Sequence, residues 1–200
     1  MPNASVMTDA LLSASPEEIL RDLFVTPRAA VRKWAELTSQ TTQAKTAYLG
    51  QHLASVLTAV PGEGTAARGN DLIDGSEVKT CSRADQLGKC RKCGAPVQSW
   101  QLTCPACGAS DVERKVDSHW LFSVRSEAEL KQHLEDDPRV VFILFDRTHG
   151  QTDVRVRAWE VWPTDPSHAH FGVFLRNYYE NNYLVKGARA APANLHPLTF

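Results

Sequence analysis

Asn70-Asp71-Leu72-Ile73-Asp74-Gly75-Ser76-Glu77-Val78-Lys79-Thr80-Cys81 is the stretch on which the reading of this chain depends. Asp74-Gly75 favours a tight hairpin turn, so Leu72-Ile73 and Ser76 to Cys81 read as two short strands around it. Glu77 and Lys79 are two apart and project from the same face of a strand. If Asp71 joins them from the neighbouring strand, two carboxylates offer the hard oxygen ligands that Mg²⁺ takes. The Lys79 ammonium then stands where charge develops on a phosphate under attack. A charged, solvated hairpin face is the plain alternative. Geometry separates the two. With a regular two-residue turn, Leu72 lies opposite Glu77 and Asn70 opposite Lys79, which leaves Asp71 on the wrong face. A three-residue loop or a bulge puts Asp71 opposite Lys79. Catalytic use therefore requires an odd loop or a bulge, or else Asp74 as the first ligand.

Immediately downstream, Cys90-x-x-Cys93-Gly94 and Cys104-Pro105-x-Cys107-Gly108 form two matched knuckles with ten residues between them. A thiolate pair at i and i+3 grips one metal from a single tight turn. A Gly after the second Cys can take the positive φ that turns backbone N–H groups toward the sulfurs. Four sulfurs make a closed tetrahedral site, the preference of structural Zn²⁺. With no open position the expected zinc is structural, holding a small insert together. Redox-active dithiols are the competing reading, but they seldom come as duplicated knuckles with Gly after each. Cys81 reads as a small buried apolar residue, not a fifth ligand.

Outward from this core, Ser15-Pro16-Glu17-Glu18 carries an N-cap, a proline at the first helical position and an acidic residue three after the Ser. A second helix follows Thr26-Pro27, and Thr42 to Val60 reads as a longer amphipathic helix with Ala44, Ala47, Tyr48, His52, Leu53, Val56, Leu57 and Val60 on its apolar stripe. His119 to Val124 reads as a strand, Ser126 to Asp136 as a helix, Arg139 to Asp146 as a strand buried on both faces, and Val154 to Trp162 as another strand. Phe171 to Leu184 looks helical, and 188–200 is rich in Pro and Ala. The third strand, the helix and the fourth strand suggest a right-handed crossover between parallel strands.

The order implies an α/β protein in four parts: 1–60, an N-terminal helical part of the core; 61–87, the catalytic hairpin; 88–116, a four-cysteine zinc-ribbon insert; and 117–200, the remainder of the core.

The chain has 200 residues, 42% hydrophobic and 22% charged, which excludes disorder over its whole length. Its longest apolar run, Val140 to Phe145, is far short of the roughly 20 residues of a membrane helix. Met1 to Ser15 lacks the basic start of a signal peptide. A cytoplasmic protein with no membrane partner is expected. The net charge of −1 comes from 22 basic and 23 acidic residues. Between Lys79 and Asp117, however, seven basic residues face four acidic ones, a local net of +3, and all five cysteines fall in that window. Lys89, Arg91 and Lys92 on the ribbon could lie on phosphates, or form a solvated basic surface. Arg68 and Arg83 flank the hairpin and are the remaining candidates for phosphate contacts.

The Asp…Glu-x-Lys pattern is that of the restriction-endonuclease-like nucleases. More specifically, Gly64 to Asp71, then Ser76 to Arg83, then Asp85 to Cys90 running into the knuckles, resemble the MamI-like type II restriction endonucleases. Asp117-Ser118-His119-Trp120-Leu121-Phe122 and Ala158-Trp159-Glu160-Val161-Trp162-Pro163 share the resemblance, which spans roughly Tyr48 to Leu184. It implies a restriction-endonuclease-like mixed sheet flanked by helices, and Mg²⁺-dependent cleavage of double-stranded DNA at a short palindrome by a homodimer. Asp71, Glu77 and Lys79 would be catalytic, with Mg²⁺ held by Asp71, Glu77 or Asp74. The gap from Asp71 to Glu77 is shorter than the family pattern. Two other readings stand beside it: a zinc-ribbon nucleic-acid-binding protein on an inactive nuclease fold, and a structure-specific repair nuclease.

Overall fold

A computed structural model of the chain describes residues 4–38, 40, 42, 46–64, 70–148, 150–151 and 153–197. Its N-terminal part is helical: α1 (Ala4–Ser13), α2 (Pro16–Leu20), a π-helical segment Arg21–Val25, α3 (Thr26–Thr38) and α4 (Ala47–Thr58). The start of α2 follows from its residues, since the Ser15 hydroxyl accepts the Glu18 N–H at 3.3 Å and Pro16 opens the helix.

The centre is a mixed three-stranded sheet of β1 (Glu77–Ser82), β6 (Val140–Asp146) and β7 (Arg155–Val161), in the order β1-β6-β7. β1 runs parallel to β6, from Glu77 opposite Val140 to Ser82 opposite Phe145, and β7 returns antiparallel on the other side. β6 is buried along its whole length because its alternate residues serve two cores. Val140, Phe142 and Leu144 meet Trp120, Phe122, Phe171 and Leu175 on one face. Val141, Ile143 and Phe145 meet Phe24, Leu49, Leu53 and Ala54 on the other. Each such fully buried side chain contributes about 1.5–3 kcal/mol.

Between β1 and β6 the chain makes two excursions. The first is a small sheet of β2 (Gly88–Cys90), β3 (Pro96–Val97) and β4 (Val112–Glu113), which carries the cysteines. The second is β5 (Trp120–Phe122), α5 (Glu127–Lys131) and a π-helical segment Gln132–Asp136. The Ser126 hydroxyl caps α5 by accepting the Glu129 N–H at 3.1 Å. After β7 come α6 (Ala169–Tyr178), a π-helical segment Tyr179–Tyr183, α7 (Leu184–Lys186) and β8 (Ala193–Leu195).

Four expectations need correction. The crossover joins β1 to β6; β5 instead pairs antiparallel with β8, a strand in the Pro- and Ala-rich segment. Leu72-Ile73 is no strand, and Leu72 makes only an isolated bridge to Gly62. The long helix begins at Ala47 and not at Thr42, whose side chain is drawn away to Arg28 and Asp85. Its buried face is Leu49, Gly50, Leu53, Ala54 and Ser55, whereas Tyr48, His52 and Leu57 are exposed. Gly50 sets that face: a Cβ there would lie 1.8 Å from the Thr80 hydroxyl, so the helix rests its glycine directly on β1. Ala44 lies outside the described residues.

Candidate active site and metal centre

The loop before β1 is irregular. Gly75 N–H donates to the Leu72 carbonyl at 3.0 Å, and the Ser76 carbonyl accepts the N–H groups of both Asp71 and Leu72 at 3.2 Å. Ile73, Asp74 and Gly75 thus form a three-residue loop with a bulge beneath it, and Gly75 takes φ +91°, a value that suits glycine. This is the odd loop that brings Asp71 back toward β1. One Asp71 oxygen accepts the Val78 N–H at 2.7 Å, and the other accepts the Gln51 amide of α4.

Asp74 is placed differently. One of its oxygens accepts the Ser76 N–H at 2.9 Å, and the other pairs with Arg139 at 2.8 Å. Arg139 also pairs with Glu160 of β7 at 2.9 Å and donates to the Ser76 hydroxyl at 3.2 Å, tying the loop to the sheet. Arg139 and the Ser76 N–H thus hold the Asp74 carboxylate, whereas Asp71 is held by Gln51 and the Val78 N–H.

Glu77 and Lys79 project together from β1, an edge strand, with Nζ 2.5 Å from the Glu77 carboxylate. Nζ also sits 5.1 Å over the Phe122 ring. Burial pushes the Glu77 carboxyl above its ordinary value; Lys79 opposes this, while the charges of Asp71 and Asp137 add to it. Asp137 was not foreseen. It is 2% exposed, bonds the His133 ring at 2.8 Å and stands at the end of the helical turn before Pro138. Gln51 and Arg139 were missed as well, because single polar residues on a helix or at a strand start carry no sequence signal of a long-range partner.

The four cysteines do converge. Cys90 and Cys107 sulfurs are 3.6 Å apart, as are those of Cys93 and Cys104, and all four lie within 4.8 Å of one another. A tetrahedral Zn²⁺ with Zn–S of about 2.3 Å needs sulfurs roughly 3.8 Å apart, so the donor set fits one ion. Gly94 and Gly108 take φ +75° and +71°, as the knuckles require. Backbone N–H groups of Cys93 first, and of Lys92, point at the Cys90 sulfur and bring its thiol down to about 7. Among the described residues no other set of three or more Cys, His, Asp or Glu is gathered so closely. Cys81 stands apart, buried against the main core, which pushes its thiol up to about 12.

Of the expected phosphate contacts, Lys89, Arg91 and Lys92 are exposed on the ribbon, Arg91 3.7 Å from Asp111. Arg83 is placed differently. It sits past the far end of β1 from Glu77, and its half-buried guanidinium is 3.6 Å from Asp146. Arg68 lies outside the described residues.

β1 bears a carboxylate and a lysine, a second carboxylate is returned by the bulged loop, and the ribbon carries a four-cysteine cluster that could hold a metal ion. The chain belongs to a family of restriction endonucleases. That family is described as MamI restriction endonuclease, and the match covers residues 33–199. The type II restriction enzyme MamI of Microbacterium ammoniaphilum is 31% identical over 146 residues, which are 72% of this chain and 42% of the relative. The chain therefore spans less than half of that relative's length. No solved structure matches it. No helix among the described residues is long and apolar enough to cross a membrane.

Proposed function

We propose that this chain carries the catalytic core of a site-specific endonuclease that hydrolyses phosphodiester bonds of double-stranded DNA with Mg²⁺. The observation that supports this most is the pairing of Glu77 and Lys79 on one face of an edge strand, 2.5 Å apart, with Asp71 brought in by the bulged loop. Edge position matters, because among the described residues no strand pairs with that side of β1.

Asp71 and Glu77 supply hard oxygen donors, and Mg²⁺ commonly takes one or two carboxylates and completes its shell with water and phosphate. When bound it would polarise the scissile phosphate. Burial, with the charges of Asp71 and Asp137, raises the Glu77 carboxyl above its ordinary value, and a bound cation would offset that repulsion. Lys79 releases Glu77 and turns its ammonium to the phosphate oxygens, where charge grows as water attacks and one P–O bond breaks. Gln51 and the Val78 N–H fix the Asp71 carboxylate in orientation, and Arg139 keeps the loop from opening.

The four-cysteine ribbon holds a structural Zn²⁺ and exposes Lys89, Arg91 and Lys92 toward DNA. A palindromic site read by a homodimer, in the cytoplasm, completes the reading. Incubating plasmid with the protein and Mg²⁺ and sequencing the fragment ends tests it. Discrete fragments with a common end sequence are expected. Binding without cutting, unaffected by Mg²⁺, would support the ribbon-bearing binding protein instead, and cutting confined to flaps or mismatches the repair nuclease.

A further inference from the structure

Three guanidinium groups meet around one cavity at the other end of the sheet. Arg28 and Arg32 come from α3, and Arg147 follows β6 directly. Glu77 pairs with Val140 at the start of β6, so Arg147 lies seven residues further along, about 20 Å away at strand rise. The cavity, of about 410 Å³, is walled by Phe24 and by Trp100 of the ribbon's last loop. That loop is fastened to the core, since the Ser99 hydroxyl donates to the Ala84 carbonyl at 2.5 Å and the Gly150 N–H donates to the Ser99 carbonyl at 3.2 Å. Arg32 stacks 4.4 Å over the Trp100 ring, and Arg147 stands 5.8 Å from its centroid.

Among the described residues, Arg28 is the best matched of the three arginines. Arg28 pairs with Asp85 and donates to the Thr42 carbonyl and hydroxyl, each at 3.3 Å. Asp85 is further held by Thr42 and Ser82 hydroxyls at 3.1 Å. By contrast Arg32 Nη2 and Arg147 Nε are buried and, among the described residues, meet no hydrogen-bond acceptor. Arg147 is only 7% exposed. A buried guanidinium stays charged, and an unmet N–H there costs free energy until an acceptor arrives. Burial first, then the charges of Arg28 and Arg32, draw the Arg147 guanidinium down to about 10. Among the described residues, Asp85, already paired with Arg28, and Asp153 on the wall are the carboxylates whose charge acts on Arg147.

We propose that this cavity is a phosphate-binding site, separate from the carboxylate centre, in which Arg32 and Arg147 hold the anion. A phosphate group suits it because its oxygens accept forked N–H pairs from two guanidinium groups at once. The group can come from a free anion or from the DNA backbone, and binding measured without Mg²⁺ keeps the inference independent of the nuclease reading.

The metal-loaded full chain is titrated calorimetrically with inorganic phosphate at constant ionic strength, and separately with a short DNA duplex over a range of salt. Arg32→Gln is the main variant, because its side chain is only partly buried; Arg147→Gln is the second. Saturable phosphate binding, weakened about tenfold in either variant, assigns the site to a free anion. Duplex binding alone, with its salt slope reduced by about one in Arg32→Gln, assigns it to the DNA backbone. Absence of phosphate binding together with an unchanged salt slope in Arg32→Gln overturns the proposal, as does phosphate binding that both variants retain in full.

Discussion

Asp71 and Asp74 are three residues apart, yet the loop gives them opposite partners. Asp71 is aimed at β1 and braced by Gln51 and the Val78 N–H, while Asp74 is bound to Arg139. Asp71→Asn should therefore lower cleavage by about 10²–10³-fold, the scale for loss of a group that acts on the developing charge. Asp74→Asn should leave cleavage within about threefold and weaken the loop, as exposed or half-exposed ion pairs contribute about 0.2–1 kcal/mol. Initial rates on one plasmid substrate, read beside unfolding midpoints, compare the two. Equal losses of activity would return Asp74 to the site. Cysteine reactivity offers a second reading at this scale. With metal in place, thiol reagents at neutral pH should find little to modify; after chelation frees the ribbon, Cys90, Cys93, Cys104 and Cys107 should all react, and Cys81 last, because burial in the main core pushes its thiol up to about 12. Mass mapping of the labelled peptides reports the order. That Glu77 and Lys79 share a face and that the four cysteines converge was legible in the sequence, because both follow from spacing local to a strand or a turn. Asp137, Gln51 and Arg139 were not, since each acts through a partner distant in the chain.

At the level of elements, α4 and the ribbon carry the predictions. α4 approaches β1 through Gly50, with no room for a Cβ against Thr80. Gly50→Ala should destabilise the protein by about 1–3 kcal/mol by overpacking, and Thr80→Ala in the same chain should recover part of it. Denaturant unfolding of the three variants measures this; additive losses would contradict the close approach. The ribbon has only Cys90, Val97 and Cys104 at its buried centre, with Val112 and small residues packed on them. Such a core is too small to stand alone. Cys104→Ser should therefore lose the single bound zinc, detected by elemental analysis, and melt the ribbon. Sequence reading was strongest where one element declares itself: the caps at Ser15 and Ser126, and the unbroken apolar run of β6. It found β5 within His119 to Val124 but not its partner β8, a three-residue strand where alternation carries no signal and the pairing spans more than seventy positions. The misplaced stripe of α4 has the same origin, because a glycine contact outranks the larger apolar residues beside it.

For the whole molecule, the near-neutral total charge conceals a division of labour. Glu77 and Lys79 lie at one end of β1, whereas Arg28, Arg32 and Arg147 gather past the other end, next to the docked ribbon loop. Parallel pairing of β1 with β6 creates this layout, since the long excursion between them must carry both the ribbon and β5 before the chain returns. The proposed phosphodiester hydrolysis rests on Asp71, Glu77 and Lys79. The most direct test is a comparison of the wild type with Glu77→Ala and Lys79→Ala on plasmid DNA with Mg²⁺, alongside duplex binding and unfolding for each. The account predicts discrete fragments from the wild type and none from either variant, with both variants folded and still binding DNA. Cutting by Glu77→Ala and Lys79→Ala at the wild-type rate would contradict it.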